Sequence, residues 1–273
     1  MRGYYLRTSS SIVNFREKAE KIWDIERYQW PRDIFKPAVF FGMYHIGDYL
    51  AFLKHLGPKS ILWGGSDLTA LINAKLPYYK LFRNADNYVE NNLERKELDM
   101  YGIKAKVVPS FLEDIDNFPI SYEPKDRVHV YISIHPGREE EYGVELIKRI
   151  VPHTPNAYYN IFGGTFSGFD GDHILHHGRV TNEYFNQEIK KYHCGLRINS
   201  HDGFSEVTAK SILMGQYPIT RIKYSGIPSY ETEEQLIKLI NSLSDMKEPN
   251  IDGRDFYRQQ VNVYPWVEKH TTA

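Results

Sequence analysis

The segment from Tyr192 to Thr220, YHCGLRINSHDGFSEVTAKSILMGQYPIT, indicates the fold class of this chain. A short apolar strand is predicted to end in a polar loop, HDGFS, at residues 201–205. A helix then runs to Gly215, and a second strand follows at residues 217–220. A strand, a helix and another strand in this order are typical of an α/β protein with parallel sheets and crossover helices.

The loop at residues 201–205 combines residue types that bind anions and hydroxyl groups. Helix N-termini offer free backbone N–H groups and the positive end of the helix dipole, which suit a nucleotide phosphate. The carboxylate of Asp202 can accept hydrogen bonds from hydroxyl groups. Asp202 could instead form a turn or cap the helix, although Ser205 is better placed as the cap.

Composition and charge exclude several classes of protein. The chain has 273 residues, a net charge of −1 and no overall basic field, so no nucleic-acid partner is evident. The single cysteine, Cys194, excludes an internal disulfide and fits a reducing compartment. The N-terminal residues lack the apolar core of a signal peptide, and no apolar run approaches the ~20 residues of a membrane span. These features predict a cytoplasmic protein whose membrane contact is at most peripheral.

Strand and helix patterns alternate in two halves of the chain. An acidic stretch with two prolines and no clear period, residues 111–126, separates the halves and is predicted to be a linker. We therefore expect an N-terminal Rossmann-like domain at residues 1–120 and a C-terminal one at residues 127–250. Strands are predicted at residues 37–42, 60–63, 86–89, 104–108, 128–134, 157–162, 178–181, 195–198 and 217–220. Helices are predicted at residues 46–56, 68–74, 93–101, 139–151, 182–191, 205–214 and 232–243.

No metal site is predicted. The segment GDHILHHG, residues 171–178, contains three histidines, but no cysteine or acidic ligand stands at a suitable spacing. Asp170 and Asp172 have the spacing of a D-x-D motif, but they lie in the wrong half of the chain for that chemistry. We interpret residues 171–178 as a surface loop.

The stretch DGFS at residues 202–205, followed by a helix that ends at Gly215, resembles the donor-binding loop of GT-B glycosyltransferases of the family-4-like group. The resemblance extends over residues 128–250. It is weaker in the first half, where WGGSD (63–67) and LDMYGIKAKVVPS (98–110) carry it.

The resemblance implies two Rossmann-like domains that face a cleft. Because 273 residues are few for this class, the first domain is expected to be trimmed. The tail, residues 251–273, is expected to cross back to the first domain. The implied activity moves a sugar from a nucleotide-sugar donor to a glycan or other hydroxyl acceptor, with retention and without a metal. The nucleotide-sugar is then a substrate, and no cofactor is expected.

Donor-binding residues follow from the resemblance position by position. Arg138 matches an arginine that holds the donor phosphates, whereas the lysine expected soon after it is absent, with Tyr142 in that neighbourhood. Arg138 could alternatively pair with nearby glutamates. Arg197 ends a predicted strand and could face the ligand or a carboxylate of the core.

The predicted donor loop assigns four further residues. Asp202 matches the acid that contacts the donor sugar and is assigned a catalytic role. Gly203, Phe204 and Ser205 are expected to bind the donor, with backbone N–H groups of the loop directed at phosphate.

Lys210 departs from the family pattern. A carboxylate normally stands there and binds the ribose, but a lysine cannot accept hydrogen bonds from hydroxyl groups. Lys210 could form an ion pair with Glu206 or reach a donor phosphate instead. The departure puts activity in doubt.

Acceptor-side residues are expected in the first half. His45 and Asp48 follow a predicted strand, and His45 could act as the base. Gly65, Ser66 and Asp67 follow the next strand and could bind an acceptor hydroxyl. A tight turn with a helix cap is the alternative for these three residues, and a structural histidine is the alternative for His45.

Two other functions remain open at this stage. One is a degenerate GT-B protein that binds a glycan or nucleotide without turnover, which Lys210 and the missing lysine favour. The other is a flavodoxin-like or periplasmic-type ligand sensor, against which the GT-B-like loop and the missing signal peptide speak.

Overall fold

A computed structural model describes residues 3–73, 79–166 and 170–267. The chain divides into two compact units. Unit 1 comprises Met1–Asp114, His201–Phe204 and Gln260–Ala273, and unit 2 comprises Ile115–Ser200 and Ser205–Gln259. The short loop at residues 201–204 therefore belongs to unit 1, although its neighbours in sequence belong to unit 2.

Unit 1 contains a six-stranded parallel sheet in the order β2-β1-β3-β4-β5-β6. Its strands are β1 (Tyr5–Thr8), β2 (Glu26–Arg27), β3 (Ala38–Phe41), β4 (Lys59–Leu62), β5 (Asp86–Val89) and β6 (Ala105–Val107). Its helices are α1 (Arg16–Ile22), α2 (Ile46–Lys54), α3 (Ser66–Asn73), α4 (Tyr79–Phe82) and α5 (Asn92–Met100).

Unit 2 contains a five-stranded parallel sheet in the order β11-β10-β7-β8-β9. Its strands are β7 (Val128–Ser133), β8 (Ala157–Phe162), β9 (Ile174–Gly178), β10 (Cys194–Arg197) and β11 (Ile219–Thr220). Its helices are α6 (Val144–Ile150), α7 (Asn182–Glu188), α8 (Glu206–Leu213), α9 (Glu233–Ser242) and α10 (Ile251–Gln260). Short 3₁₀ helices lie at Ser10–Phe15, Ile115–Asn117, Val151–His153, Ile189–Lys191 and Leu243–Asp245.

Both faces of the unit 1 sheet are covered, as the alternation of side chains along β3 shows. Phe40 packs into one apolar cluster with Trp63 and Phe82, whereas Phe41 packs on the other face with Trp23. Trp266, in the C-terminal tail, belongs to this second cluster and lies 6.4 Å from Trp23 between ring centroids. The tail thus contributes aromatic side chains to the core of unit 1.

The prediction of a surface loop at residues 171–178 is wrong, because β9 lies there. The strand predicted at residues 178–181 is consequently displaced toward the N-terminus. β9 pairs with β8, and the ring of His177 stacks on Phe162 at 4.3 Å. The two histidines of this strand, His176 and His177, count as polar in a sequence, although the ring of His177 packs on an aromatic side chain.

Other predicted elements are confirmed with shifted ends. The helix predicted at residues 139–151 begins only at Val144, because Gly143 adopts a left-handed conformation with φ of 63°. The helix predicted at residues 68–74 begins at Ser66, and its last predicted residue, Ala74, lies outside the described residues. Strands β1 and β2 were not predicted. No helix within the described ranges is long and apolar enough to cross a membrane.

Candidate functional site

The carboxyl ends of the parallel strands in unit 1 carry a buried acidic residue, Asp67. Its Oδ2 accepts a hydrogen bond from Met43 N at 3.0 Å, and its Oδ1 accepts from Gly64 N at 3.0 Å and Leu68 N at 2.8 Å. Burial raises the pKa of Asp67 to about 6. Backbone N–H groups thus donate hydrogen bonds to both carboxylate oxygens of Asp67. The expected contact between Asp67 and an acceptor hydroxyl stays a prediction.

The carboxylate of Asp48 is likewise held by hydrogen bonds within unit 1. Its Oδ1 lies 2.8 Å from Arg7 Nη1, and its Oδ2 accepts from Ser9 Oγ at 2.7 Å and from the backbone of Tyr44 and His45 at 3.1 Å. These bonds anchor the start of helix α2. The exposed side chain of His45 lies 2.6 Å from Ser11 Oγ through its Nε2. Its role as a base stays a prediction.

The glycine-rich turn after β4 lies against the loop at residues 201–204. Gly65 has φ of +90°, a conformation that favours glycine. A Cβ atom there would lie 3.0 Å from Gly203 N. Ser66, the next residue, donates a hydrogen bond to Tyr44 Oη at 3.4 Å. The turn therefore needs glycine at residue 65 so that the two backbones can approach each other.

Residues at the end of β5 and in α5 hold the loop at residues 201–204 in unit 1. Glu90 Oε2 accepts a hydrogen bond from Phe204 N at 2.7 Å, and Asn91 Nδ2 donates to Asp202 O at 2.7 Å. Glu97 Oε2 lies 2.9 Å from His201 Nε2. The predicted donor loop is thus fixed through its backbone at both Asp202 and Phe204.

Sequence reasoning missed these anchoring residues. Their local signal is the stretch VENN (89–92), in which polar residues directly follow a buried strand at the edge where parallel sheets bind ligands. Asn91 also caps α5, because its Oδ1 accepts from Glu94 N at 3.0 Å. This local capping role is readable from sequence, whereas the contact with a loop 111 residues away is not.

Two buried carboxyl groups lie side by side in this anchor. Glu94 is fully buried, and its Oε2 accepts a hydrogen bond from Glu90 N at 2.7 Å. Its Oε1 has no hydrogen-bond partner among the residues that the structure describes. Burial raises the pKa of Glu90 to about 8, and burial together with the charge of Glu90 raises the pKa of Glu94. The pair therefore retains a proton near neutral pH.

From the raised pKa of Glu90 and Glu94, we expect the stability of the protein to fall as the pH rises. The ordinary pKa of a glutamate is 4.5, so the unfolded chain releases a proton that the folded protein keeps up to about 8. The stabilisation from the raised pKa is complete below 4.5 and is lost as the pH rises through about 8. Urea unfolding measured across this range should show the decline.

Glu90→Gln should flatten this dependence, because the amide cannot release a proton in that range. Glu123→Gln, at an exposed site in unit 2, is the matched control and should leave the dependence unchanged. A dependence that is equally steep in both variants would show that Glu90 does not contribute to it.

A cleft of about 740 Å³ opens at the carboxyl edge of the unit 2 sheet. Three arginines are among the residues that line it, together with three glutamates and Ser200. The arginines are Arg138, Arg149 and Arg221. Because the cleft lies beyond the ends of β7 and β10, it occupies the position where parallel α/β sheets bind ligands.

Arg138 forms a bidentate ion pair with Glu141, at 2.7 Å from Nε and 2.5 Å from Nη2. This is the pairing that the sequence offered as the alternative to phosphate binding. Its guanidinium lies 5.9 Å from the ring centroid of Tyr142, and that of Arg197 lies 4.6 Å from the same ring. The ring of Tyr142, in the neighbourhood where the resembling family has a lysine, thus lies beside two arginines.

Helix α8 begins at the cap that the sequence predicted. Ser205 Oγ accepts a hydrogen bond from Thr208 N at 3.2 Å. Lys210, later in the helix, has a fully buried side chain, and its Nζ lies 3.4 Å from Glu206 Oε2. It also lies 5.7 Å from the ring of Phe118 and 5.3 Å from that of Phe185. The predicted ion pair with Glu206 is confirmed, and contact with a phosphate stays a prediction.

The structure assigns the predicted site residues to the two units separately. His45, Asp48, Gly65, Ser66, Asp67, Asp202, Gly203 and Phe204 belong to unit 1. Arg138, Arg197, Ser205 and Lys210 belong to unit 2. Within residues 3–73, 79–166 and 170–267, no group of three or more His, Cys, Asp or Glu side chains is arranged to hold a metal ion.

No protein-family model matches the sequence, and no curated protein matches it either. Solved structures do match. The lipopolysaccharide outer core galactosyltransferase WaaB is 13% identical with a TM-score of 0.64, and the match covers 93% of this chain and 78% of WaaB. Anabaena HepE in complex with UDP and glucose is 9% identical with a TM-score of 0.63, over 94% of both chains.

The fold is the GT-B fold. The pneumococcal O-GlcNAc transferase GtfA, solved with UDP and GlcNAc, is 16% identical with a TM-score of 0.55. That match covers 82% of this chain and 54% of GtfA, so the chain spans about half the length of this relative. The likeness confirms the predicted α/β fold class, whereas the family-4-like subgroup and the trimmed first domain stay predictions.

Proposed function

We propose that this protein is a glycosyltransferase that moves a sugar from a nucleotide-sugar donor to a hydroxyl acceptor. The observation that carries the proposal is the arginine-lined cleft of about 740 Å³ at the carboxyl edge of the unit 2 sheet. Its volume suits a nucleotide-sugar, and its arginines suit a diphosphate. HepE and GtfA, which share the fold, were solved with UDP, so a uridine diphosphate sugar is the first donor to test.

The cleft supplies what a departing diphosphate requires. As the bond between the sugar C1 and the phosphate oxygen breaks, negative charge develops on the diphosphate. Arg138 and Arg221, which line the cleft, would stabilise that charge. The N–H groups at the start of α8, which do not line the cleft, are proposed as further donors to the phosphates. The new bond forms between C1 and the acceptor oxygen, whose proton passes to His45 or to the diphosphate itself. We expect retention at C1 and no requirement for a metal.

Asp202→Ala should lower donor turnover at least about tenfold, or roughly 1.4 kcal/mol, because a charged acceptor for a sugar hydroxyl is lost. Loop position should change little, since the structure fixes the loop through backbone groups at Asp202 and Phe204. The measurement is kcat/KM for nucleoside diphosphate release. Asp172→Ala, at an exposed site in unit 2, is the control. Equal kinetics in the two variants would show that Asp202 does not contact the donor sugar.

The second candidate function is a GT-B protein that binds a nucleotide or glycan without turnover. Lys210 favours it, because its side chain is buried beside Glu206 at the position of the family's ribose-binding carboxylate. Incubation with UDP-, GDP-, ADP- and dTDP-sugars separates the two functions. Release of nucleoside diphosphate supports the transferase, whereas thermal stabilisation by a donor without any release supports the binding protein.

A further inference from the structure

An exposed apolar surface lies on unit 1, on and around helix α2. Six large apolar side chains there are each between 43% and 71% exposed. They are Trp30, Phe35, Ile46, Leu50, Leu53 and Leu56, and together they are called the α2 surface below. Single exposed apolar residues are ordinary, but six within 27 consecutive residues form a patch of the kind that marks an interaction site.

Helix α2 departs from the usual pattern of a surface helix, because its exposed face is apolar as well as its buried face. Its buried residues are Asp48, Tyr49 and Phe52. Its solvent-exposed face is centred on Ile46, Leu50 and Leu53, which recur at helical spacing. A helix that covers a core normally directs polar residues outward, so burial in the core of unit 1 does not explain this face.

Cationic groups border the same surface. A cavity of about 580 Å³ is lined by Trp30 and Leu50 of the α2 surface and by four cationic residues, with no carboxylate among its lining residues. The cationic residues are Arg7, Arg16, Arg27 and Lys54. Apolar and cationic groups therefore meet at one place on unit 1.

Two of these cations retain uncompensated charge. Arg7 is paired with Asp48 at 2.8 Å, and Arg27 with Glu20 at 2.7 Å. Arg16 and Lys54 form no ion pair with any residue that the structure describes. Residues 3–57 carry eight Lys or Arg and six Asp or Glu, so this segment is net positive in a chain whose net charge is −1.

We infer that the α2 surface docks on a membrane that contains anionic lipids. Apolar side chains on a positively charged amphipathic face enter the boundary between headgroups and acyl chains, while arginine and lysine bind the anionic headgroups. The cavity beside Trp30 and Leu50 would receive a headgroup next to Arg16 and Lys54. This mode of contact is peripheral and involves no membrane-spanning helix.

Vesicle sedimentation with the full chain tests the inference. Vesicles of phosphatidylcholine with phosphatidylglycerol should bind the protein, vesicles of phosphatidylcholine alone should bind it weakly, and added salt should release it. Leu50→Ser combined with Leu53→Ser should lower binding by about tenfold or more. Arg16→Gln combined with Lys54→Gln should lower it in the anionic vesicles specifically.

Matched controls distinguish this surface from general stickiness. Met100→Ser combined with Leu175→Ser removes two apolar residues that are exposed elsewhere, and Lys104→Gln combined with Lys247→Gln removes two cations elsewhere. Both controls should bind vesicles as the unchanged protein does, and circular dichroism should show that every variant is folded.

Two results would overturn the inference. One is equal binding to both kinds of vesicle, or no binding to either. The other is a dimer in light scattering that Leu50→Ser with Leu53→Ser converts to a monomer while vesicle binding is absent. In that case the α2 surface joins two copies of this chain.

Discussion

Lys210→Glu is expected to destabilise the protein by about 3–5 kcal/mol, because it introduces a carboxylate into a fully buried position. The variant loses the cation beside the rings of Phe118 and Phe185 and gains a like charge one helical turn from Glu206. A fall in Tm of about 10 °C in calorimetry is the expected result. Below that temperature we also expect weaker donor binding.

Lys210→Met is the matched control, because it keeps most of the buried volume and removes only the charge. Glu206 is 41% exposed, so the ion pair it forms with Lys210 should contribute no more than about 1 kcal/mol. The methionine variant should therefore remain close to the unchanged protein in Tm. A glutamate variant as stable as the methionine variant would contradict the buried position of this side chain.

Gly203→Ala is expected to lower both stability and donor turnover. A Cβ atom at Gly203 would overlap Glu90 Oε2, the atom that accepts the hydrogen bond from Phe204 N. The Glu90 carboxylate must move, which leaves a buried N–H group without its partner and costs about 1–3 kcal/mol. Turnover should fall about tenfold or more if the loop at residues 201–204 must be held in place.

A double-mutant cycle isolates this mechanism. With Glu90→Ala in the background, space exists for the new methyl group, so Gly203→Ala should add little further loss of stability. Gly171→Ala is the control, since no atom lies within 4 Å of its added Cβ. If the losses from Gly203→Ala and Glu90→Ala simply add, overlap with Glu90 is not the cause.

Sequence periodicity was sufficient for most of the fold, because parallel strands and their crossover helices leave regular apolar spacing. Strand β9 was not predicted at its true position because its histidines count as polar in a sequence, although the ring of His177 packs flat on Phe162. Strand β1 was missed because Leu6 is the only aliphatic residue of its YLRT sequence and its other buried residue, Thr8, is polar. Both errors concern strands whose polar side chains are partly covered.

The candidate site shows a different limit of sequence reasoning. Asp48 and Asp67 follow strands at the ligand edge, where an acidic residue can bind either a ligand or a backbone N–H group. Only the three-dimensional contacts show that backbone N–H groups donate hydrogen bonds to both carboxylates. Glu90 was missed because its hydrogen-bond partner, Phe204, is 114 residues away in the chain.

Calorimetric titration with nucleotide-sugars tests the central claim most directly. One nucleotide-sugar should bind with a stoichiometry of about one, and Arg138→Ala combined with Arg221→Ala should weaken this binding by about tenfold or more. Arg179→Ala, which removes an exposed arginine outside the cleft of unit 2, should leave the affinity unchanged. Absence of binding to every nucleotide-sugar, or equal affinity in the double variant and the unchanged protein, would contradict the account.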